Sequence, residues 1–262
     1  LINTYNCSPE EFWKNSRIPI RVLETEADIY EDIAEIMVET IVNNPRAVFI
    51  CPVGPINQYP LFVNKVNERK INLKNVWFFN MDEYLDEHDE IISIDNPLSF
   101  HKTMNDLVYS KVDFPPNQRL FPIPDKERAF DQLLADLGDA DCCLTGVGIN
   151  GHLAFNEPPS EADSNSRCLD LARETIVNNG ARKYGGALDI FPKRCVTVGM
   201  KQILNSKVLK IYLYNEWQWG IMRKIALEPA SESAPASFLQ IHPNSEMVIT
   251  KHLLNFMIGE TK

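Results

Sequence analysis

Cys142-Cys143-Leu144-Thr145-Gly146-Val147-Gly148-Ile149-Asn150-Gly151-His152-Leu153-Ala154-Phe155-Asn156-Glu157-Pro158 is the stretch whose reading decides the fold. Its apolar start, Cys142-Cys143-Leu144, reads as a buried strand bounded by glycine. Gly146, Gly148 and Gly151 then permit backbone angles and close approaches that side chains forbid. Open α/β sheets place their ligands in such loops, at the carboxyl ends of parallel strands. Asn150, His152 and Glu157 bring to this loop an orienting amide, a proton-transfer group and a negative charge. Two readings fit: an active-site loop, or a tight turn around a hydrogen-bonded histidine.

Outward from this stretch, strands and helices alternate. Ala47-Val48-Phe49-Ile50-Cys51 is an uninterrupted apolar run of the kind buried parallel strands show. Asn75-Val76-Trp77-Phe78-Phe79, Cys195-Val196-Thr197-Val198-Gly199, Val208 to Tyr214 and Glu246 to Thr250 read as further strands, with a shorter one from Ile18 to Leu23. Ile29, Ile33, Ile36, Met37 and Ile41 recur at helical spacing and predict a helix over Glu26–Asn43. More helices are expected near Tyr59–Glu68, Phe100–Val108, Glu127–Leu137, Met200–Leu204, Trp217–Leu227 and Lys251–Ile258. Ser8-Pro9-Glu10-Glu11-Phe12-Trp13 has the cap, proline and acidic first turn of a helix start, in a peripheral arm over residues 1–18. This alternation predicts an α/β fold with a mostly parallel sheet covered by helices on both faces. No repeat or linker interrupts it, so residues 1–262 are read as one domain. The polar segment 160–193, with Gly180, Gly185 and Gly186, is read either as a lid over the site or as a surface excursion.

The composition is that of a soluble globular protein, 44% hydrophobic and 24% charged over 262 residues. A formal net charge of -10 argues against nucleic acid and anionic membranes as partners, although a local basic pocket can still take an anion. The six cysteines lack zinc-ligand spacing and mostly fall in or beside apolar runs, as small buried hydrophobes do in a reducing compartment. Leu1-Ile2-Asn3-Thr4-Tyr5 lacks the basic start and apolar core of a signal peptide. No apolar run approaches the ~18 residues of a membrane span. The expectation is a cytoplasmic protein.

Asp82 and Glu83 directly follow the Asn75–Phe79 strand. A carboxylate held at a sheet's carboxyl edge can abstract a proton from carbon if its pKa lies near the working pH. On charge alone the bland reading is favoured, with both acids as solvated members of the run Asp82–Glu90. That run lacks the glycine and terminal glutamate of a calcium loop. Nicotinamide binding also lacks its signature, because the glycines of Gly146–Gly151 are wrongly spaced for GxGxxG.

Phe79-Asn80-Met81-Asp82-Glu83-Tyr84 together with Gly146 to Pro158 resembles the glucosamine-6-phosphate deaminase (isomerase) family. Ser99-Phe100-His101, Thr197-Val198-Gly199 and Ala236-Ser237-Phe238-Leu239-Gln240-Ile241-His242-Pro243 extend the resemblance over most of the chain. The Phe155-Asn156-Glu157-Pro158 ending separates it from the sister 6-phosphogluconolactonases. The resemblance implies a Rossmann-like three-layer αβα fold, an aldose–ketose isomerisation with ammonia release, and no metal or redox cofactor. The implied partner is a small-molecule sugar phosphate; assembly as a homo-oligomer is left open. By the same resemblance, Asp82 is the base that moves a proton from C2 toward C1. His152 opens the pyranose ring, oriented by Asn150 and Glu157, and Arg182 grips the phosphate.

Departures from the pattern concern the phosphate. The family's Gly-Gly-Thr-Pro turn is here Gly54-Pro55-Ile56-Asn57, in which Pro55 lacks an N–H donor. Gln218 aligns with a phosphate-binding lysine, which weakens the phosphate grip unless Arg223 or Lys224, one to two helical turns later, reaches in. Leu169 and Asp170 stand where allosteric members carry polar and basic residues. Gly54, Asn57, Arg182 and Gln218 are thus the expected phosphate-end residues, with Gln218 free to donate hydrogen bonds to substrate. A non-catalytic sugar-phosphate-binding or regulatory descendant is the alternative to the enzyme.

Overall fold

The structure, a computed structural model, describes residues 3–256. In chain order it runs α1 (Pro9–Asn15), β1 (Ile20–Leu23), α2 (Glu26–Asn43), β2 (Val48–Cys51), α3 (Gln58–Arg69), β3 (Trp77–Asn80) and β4 (Asp82–Leu85). Next come α4 (Phe100–Met104), β5 (Arg119–Leu120), α5 (Glu127–Asp136), β6 (Cys142–Gly146), β7 (Arg167–Asp170) and α6 (Arg173–Lys183). The chain continues with β8 (Arg194–Thr197), α7 (Met200–Leu204), β9 (Leu209–Leu213), α8 (Trp219–Leu227), β10 (Ser245–Thr250) and α9 (Lys251–Asn255). The last helix expected in the sequence, Lys251–Ile258, extends beyond the described residues, as does the very start of the expected N-terminal arm.

Seven strands pair in the order β1-β10-β9-β6-β2-β3-β5, with every pairing parallel. Side-chain alternation explains the unbroken apolar runs. Phe49 and Cys51 of β2 join the cluster on one face of the sheet, and Val48 and Ile50 join the cluster on the other. Each face is covered by helices, so no position along β2 is left for a polar residue. The long helix α2 starts at a capping box, in which Thr25 accepts from the Asp28 N–H and Asp28 accepts from the Thr25 N–H. From there it buries Ile29, Ile33, Met37 and Ile41.

A second sheet, β4-β8-β7, is antiparallel. The sequence pattern does not reveal it, since it places Cys195–Gly199 among the strands of a mostly parallel sheet and Asp82 and Glu83 just past the end of a strand. The chain passes from one sheet to the other at Met81. Its N–H donates to the Cys51 carbonyl at 2.9 Å, and its carbonyl accepts from the Val198 N–H at 2.7 Å. Asp82 is therefore the first residue of β4, pinned at the seam opposite Thr197. Segment 160–193 is neither a loose excursion nor a detached flap. It supplies β7 to the small sheet and packs α6 through buried Thr175 and Gly180.

Successive strands β2, β3 and β5 build the sheet in one direction, and β6 then returns to the other side of β2. That reversal opens a crevice at the strand ends, where doubly wound sheets place ligands. Among the described residues no helix is long and apolar enough to cross a membrane.

Candidate active site

The crevice holds a cavity of about 400 Å³, within the range of small-molecule sites. Its floor comes from the loops after β2, β3, β6 and β9, and α6 walls one side.

The glycine loop builds a histidine cluster. Gly151 takes a φ of +90° that turns the chain back, which glycine adopts without strain. At Gly148 an added Cβ would lie 2.0 Å from His152 Nε2, so only glycine lets the imidazole lie flat against this turn. His152 Nδ1 lies 3.2 Å from Glu157 Oε2 and 3.3 Å from Thr175 Oγ1. The Asn150 amide donates to the same Glu157 oxygen at 2.6 Å, and its carbonyl accepts from the His152 N–H at 3.3 Å. A carboxylate at Nδ1 favours the tautomer with its proton there, leaving a lone pair on Nε2 over Gly148, which lines the cavity. Burial raises the Glu157 pKa, but the hydrogen bonds and charge of His152, with help from Thr175 and Asn150, outweigh it and hold the carboxyl below its ordinary value.

Asp82 lines the cavity and is only 5% exposed, while Glu83 is fully buried. The reading of both as solvated acids is thereby overturned, and the reason is the β4–β8 pairing that pulls them inside. Successive residues of a strand face opposite ways, so the two carboxyls have separate surroundings. Glu83 caps α4, accepting from the N–H groups of Phe100 at 3.0 Å and His101 at 2.9 Å and from Ser99 Oγ at 3.2 Å. Among the described residues Asp82 has no such donors. Burial, and secondarily the Glu83 charge, push its pKa well above the usual carboxylate range, against the opposing pull of Lys183.

At the other end of the cavity lie Gly54, Asn57, Arg182 and Gln218. Asn57 precedes α3 without a side-chain capping bond, and its side chain lies beside the Tyr30 hydroxyl. The Arg182 guanidinium stacks 4.9 Å from the centre of the Trp217 ring. Gln218 does not have the free amide expected of it. Its Oε1 accepts from the N–H groups of Tyr214 and Asn215, both at 3.0 Å, and its Nε2 donates to the Val147 carbonyl at 2.9 Å. It fastens the loop after β9 to the loop after β6. Arg223 and Lys224 do not replace the missing lysine either. Arg223 is buried among Phe12 and Trp219 with its guanidinium on the Cys7 carbonyl, and Lys224 opens onto a different surface depression.

The sequence reading missed Thr175, Asn179, Lys183 and Trp217. Thr175 reaches His152, Asn179 donates to Tyr84 Oη at 3.4 Å, and Arg182 and Lys183 line the cavity. These α6 residues recur at helical spacing, so a polar stripe of period 3.6 was the available signal.

No family model matches the chain. A glucosamine-6-phosphate deaminase of Rhodopirellula baltica is 30% identical over 240 residues, covering 88% of this chain and 93% of the relative. The chain belongs to the glucosamine-6-phosphate deaminase family. The Bacillus subtilis glucosamine-6-phosphate deaminase 1 is 29% identical over 238 residues, covering 86% of this chain and 96% of that one. Among solved structures, a monomeric glucosamine-6-phosphate deaminase superposes with a TM-score of 0.82 at 28% identity, over 90% of this chain and 98% of that chain. A Trypanosoma cruzi 6-phosphogluconolactonase, at 15% identity and a TM-score of 0.68, shares the fold. Within this deaminase family the chain is a divergent member.

Proposed function

We propose that this protein converts a 2-amino-2-deoxyhexose 6-phosphate to the ketose phosphate and ammonia, with glucosamine 6-phosphate or an epimer such as galactosamine 6-phosphate as substrate. The observation that carries this reading is that one cavity holds a buried, donor-poor carboxyl and, on a separate loop, a histidine backed by a carboxylate. Isomerisation of an aminoaldose needs both, one group for carbon and one for the ring oxygen.

His152 works through Nε2. It takes the anomeric hydroxyl proton and returns a proton to the ring oxygen, opening the pyranose; Glu157 stabilises the imidazolium formed between the two transfers. Asp82 then takes the C2 proton, and the electron pair moves through C1 to O1. Delivery of that proton to C1, with a proton passing from nitrogen to O1, gives the 2-imino sugar. Water adds to the imine carbon and ammonia leaves, so one water is consumed for each ammonia released. Asp82 suits carbon chemistry because its raised pKa makes it a stronger base than an exposed carboxylate. At the phosphate end Arg182 supplies the cation, while Gly54 and Asn57 present the amino end of α3 with its positive dipole. Gln218 contributes by fixing that wall.

Purified protein offered each of the two hexosamine 6-phosphates in a coupled ammonia assay tests this. Ammonia and ketose phosphate in equal amounts are expected from at least one. Binding of both sugars without ammonia would instead support a non-catalytic sugar-phosphate protein.

A further inference from the structure

Two consecutive cations end α6, and successive residues of a helix point about 100° apart. Arg182 goes to Trp217, toward Asn57 and Gln218. Lys183 goes the other way: its ammonium lies 5.5 Å from the centre of the Phe100 ring, and Phe100 lines the cavity beside Asp82 and Tyr84. A cation in the last turn of a helix has an ordinary use, complementing the helix dipole. That accounts for a lysine here but not for its turning into the cavity. Lys183 is exposed to solvent and forms no ion-pair contact with Asp82, so its charge acts across the cavity; burial of the ammonium end lowers its pKa, against the attraction of Asp82.

We propose that Lys183 is the charge partner of Asp82 across the reacting end of the cavity, favouring the ionised form of that side chain, the form that accepts a carbon-bound proton. The groups around Asp82 leave no other candidate among the described residues. Glu83 and Tyr84 on its own strand are an acid and a phenol. Cys195 on β8 is a fully buried thiol whose own pKa is pushed up by burial. His152 is committed at Nδ1 to Glu157. Arg182 is drawn to the far wall. Burial and Glu83 both favour the protonated acid, and Lys183 alone opposes them. Lys183 is thus a positioning residue that acts through Asp82.

The role at a reacting carbon rests on the deaminase reading; the charge pairing does not. The two are separated by following the Asp82 carboxyl carbon by NMR titration in aspartate-labelled protein, its signal identified by its loss in Asp82→Asn. In Lys183→Met the titration midpoint should move up by about one pH unit, and in Lys183→Arg it should stay near wild type. The acid limb of kcat/KM for hexosamine 6-phosphate should move to higher pH in step, with KM at the optimum little changed. An unmoved Asp82 midpoint overturns the proposal. An unmoved acid limb with a raised KM does so too, since it assigns Lys183 to the phosphate. A shifted midpoint in a protein that releases no ammonia upholds the pairing and overturns the deaminase reading.

Discussion

Asp82 is held where a carboxylate is hard to keep. Its folded-state pKa lies well above the ordinary value through burial and Glu83, so the folded protein binds a proton there more tightly than the unfolded chain does. Below the ordinary carboxylate range both states are protonated and folding is not penalised. As pH rises toward the folded-state pKa the unfolded chain ionises first, and folding loses about 1.4 kcal/mol for every pH unit climbed between the two pKa values. Asp82→Asn should therefore melt higher than wild type at neutral pH, by about 2–4 °C per kcal/mol relieved. The gain should vanish as pH falls through the ordinary carboxylate range. Thermal melts across pH check this, and equal melting at all pH values would contradict it. On the proposed mechanism His152 makes a different demand, because its service ends once the ring is open. His152→Gln should slow turnover of the cyclic sugar far more than that of an open-chain analogue; equal losses would mark a structural histidine.

Two elements carry the connection between the site and its scaffold. The 3-10 turn Glu216–Gln218 is held by the Gln218 amide, whose loss leaves buried main-chain groups of Tyr214, Asn215 and Val147 unpartnered. Gln218→Lys places there the residue that the family resemblance implies, yet it should lower stability by about 1–3 kcal/mol and leave the KM for sugar phosphate no better. A tighter KM at unchanged melting temperature would contradict this. Helix α6 reaches His152 through Thr175, which is 1% exposed. Thr175→Val keeps the shape and removes the hydroxyl, with an expected stability loss of about 1 kcal/mol. It should also shift the pH profile of turnover, because Glu157 loses a donor; a loss of stability with the profile unchanged would limit Thr175 to packing. Elements of this kind were only partly legible. The apolar runs of β2, β6 and β9 announce themselves because both faces of each strand are buried. The strand Asp82–Leu85 does not, since its first two residues are acids whose burial depends on partners, β8 and α4, far along the chain.

On the scale of the whole molecule, the crevice follows from strand order. The loops after β2 and β6 diverge, β3 continues into a second sheet at Met81, and the site occupies the space between. The parallel sheet, the helices over both faces and the site loops at the strand ends were readable from alternation and glycine spacing. The antiparallel sheet was not, because β4, β7 and β8 are short, polar at their ends and, for β4 and β8, paired across a long stretch of intervening sequence. The catalytic candidates Asp82, Asn150, His152 and Glu157 were legible because each sits in a compact motif, whereas Lys183 and Thr175 reach the site only through the docking of α6. The central claim is that Asp82 carries a proton between carbons in this cavity. Turnover of glucosamine 6-phosphate in deuterium oxide, with the ketose phosphate examined by NMR, tests it most directly. Wild type should give ammonia and deuterium at C1, and Asp82→Asn should lose both by about 10²–10⁴-fold. Undiminished deuterium at C1 in that variant would contradict the account.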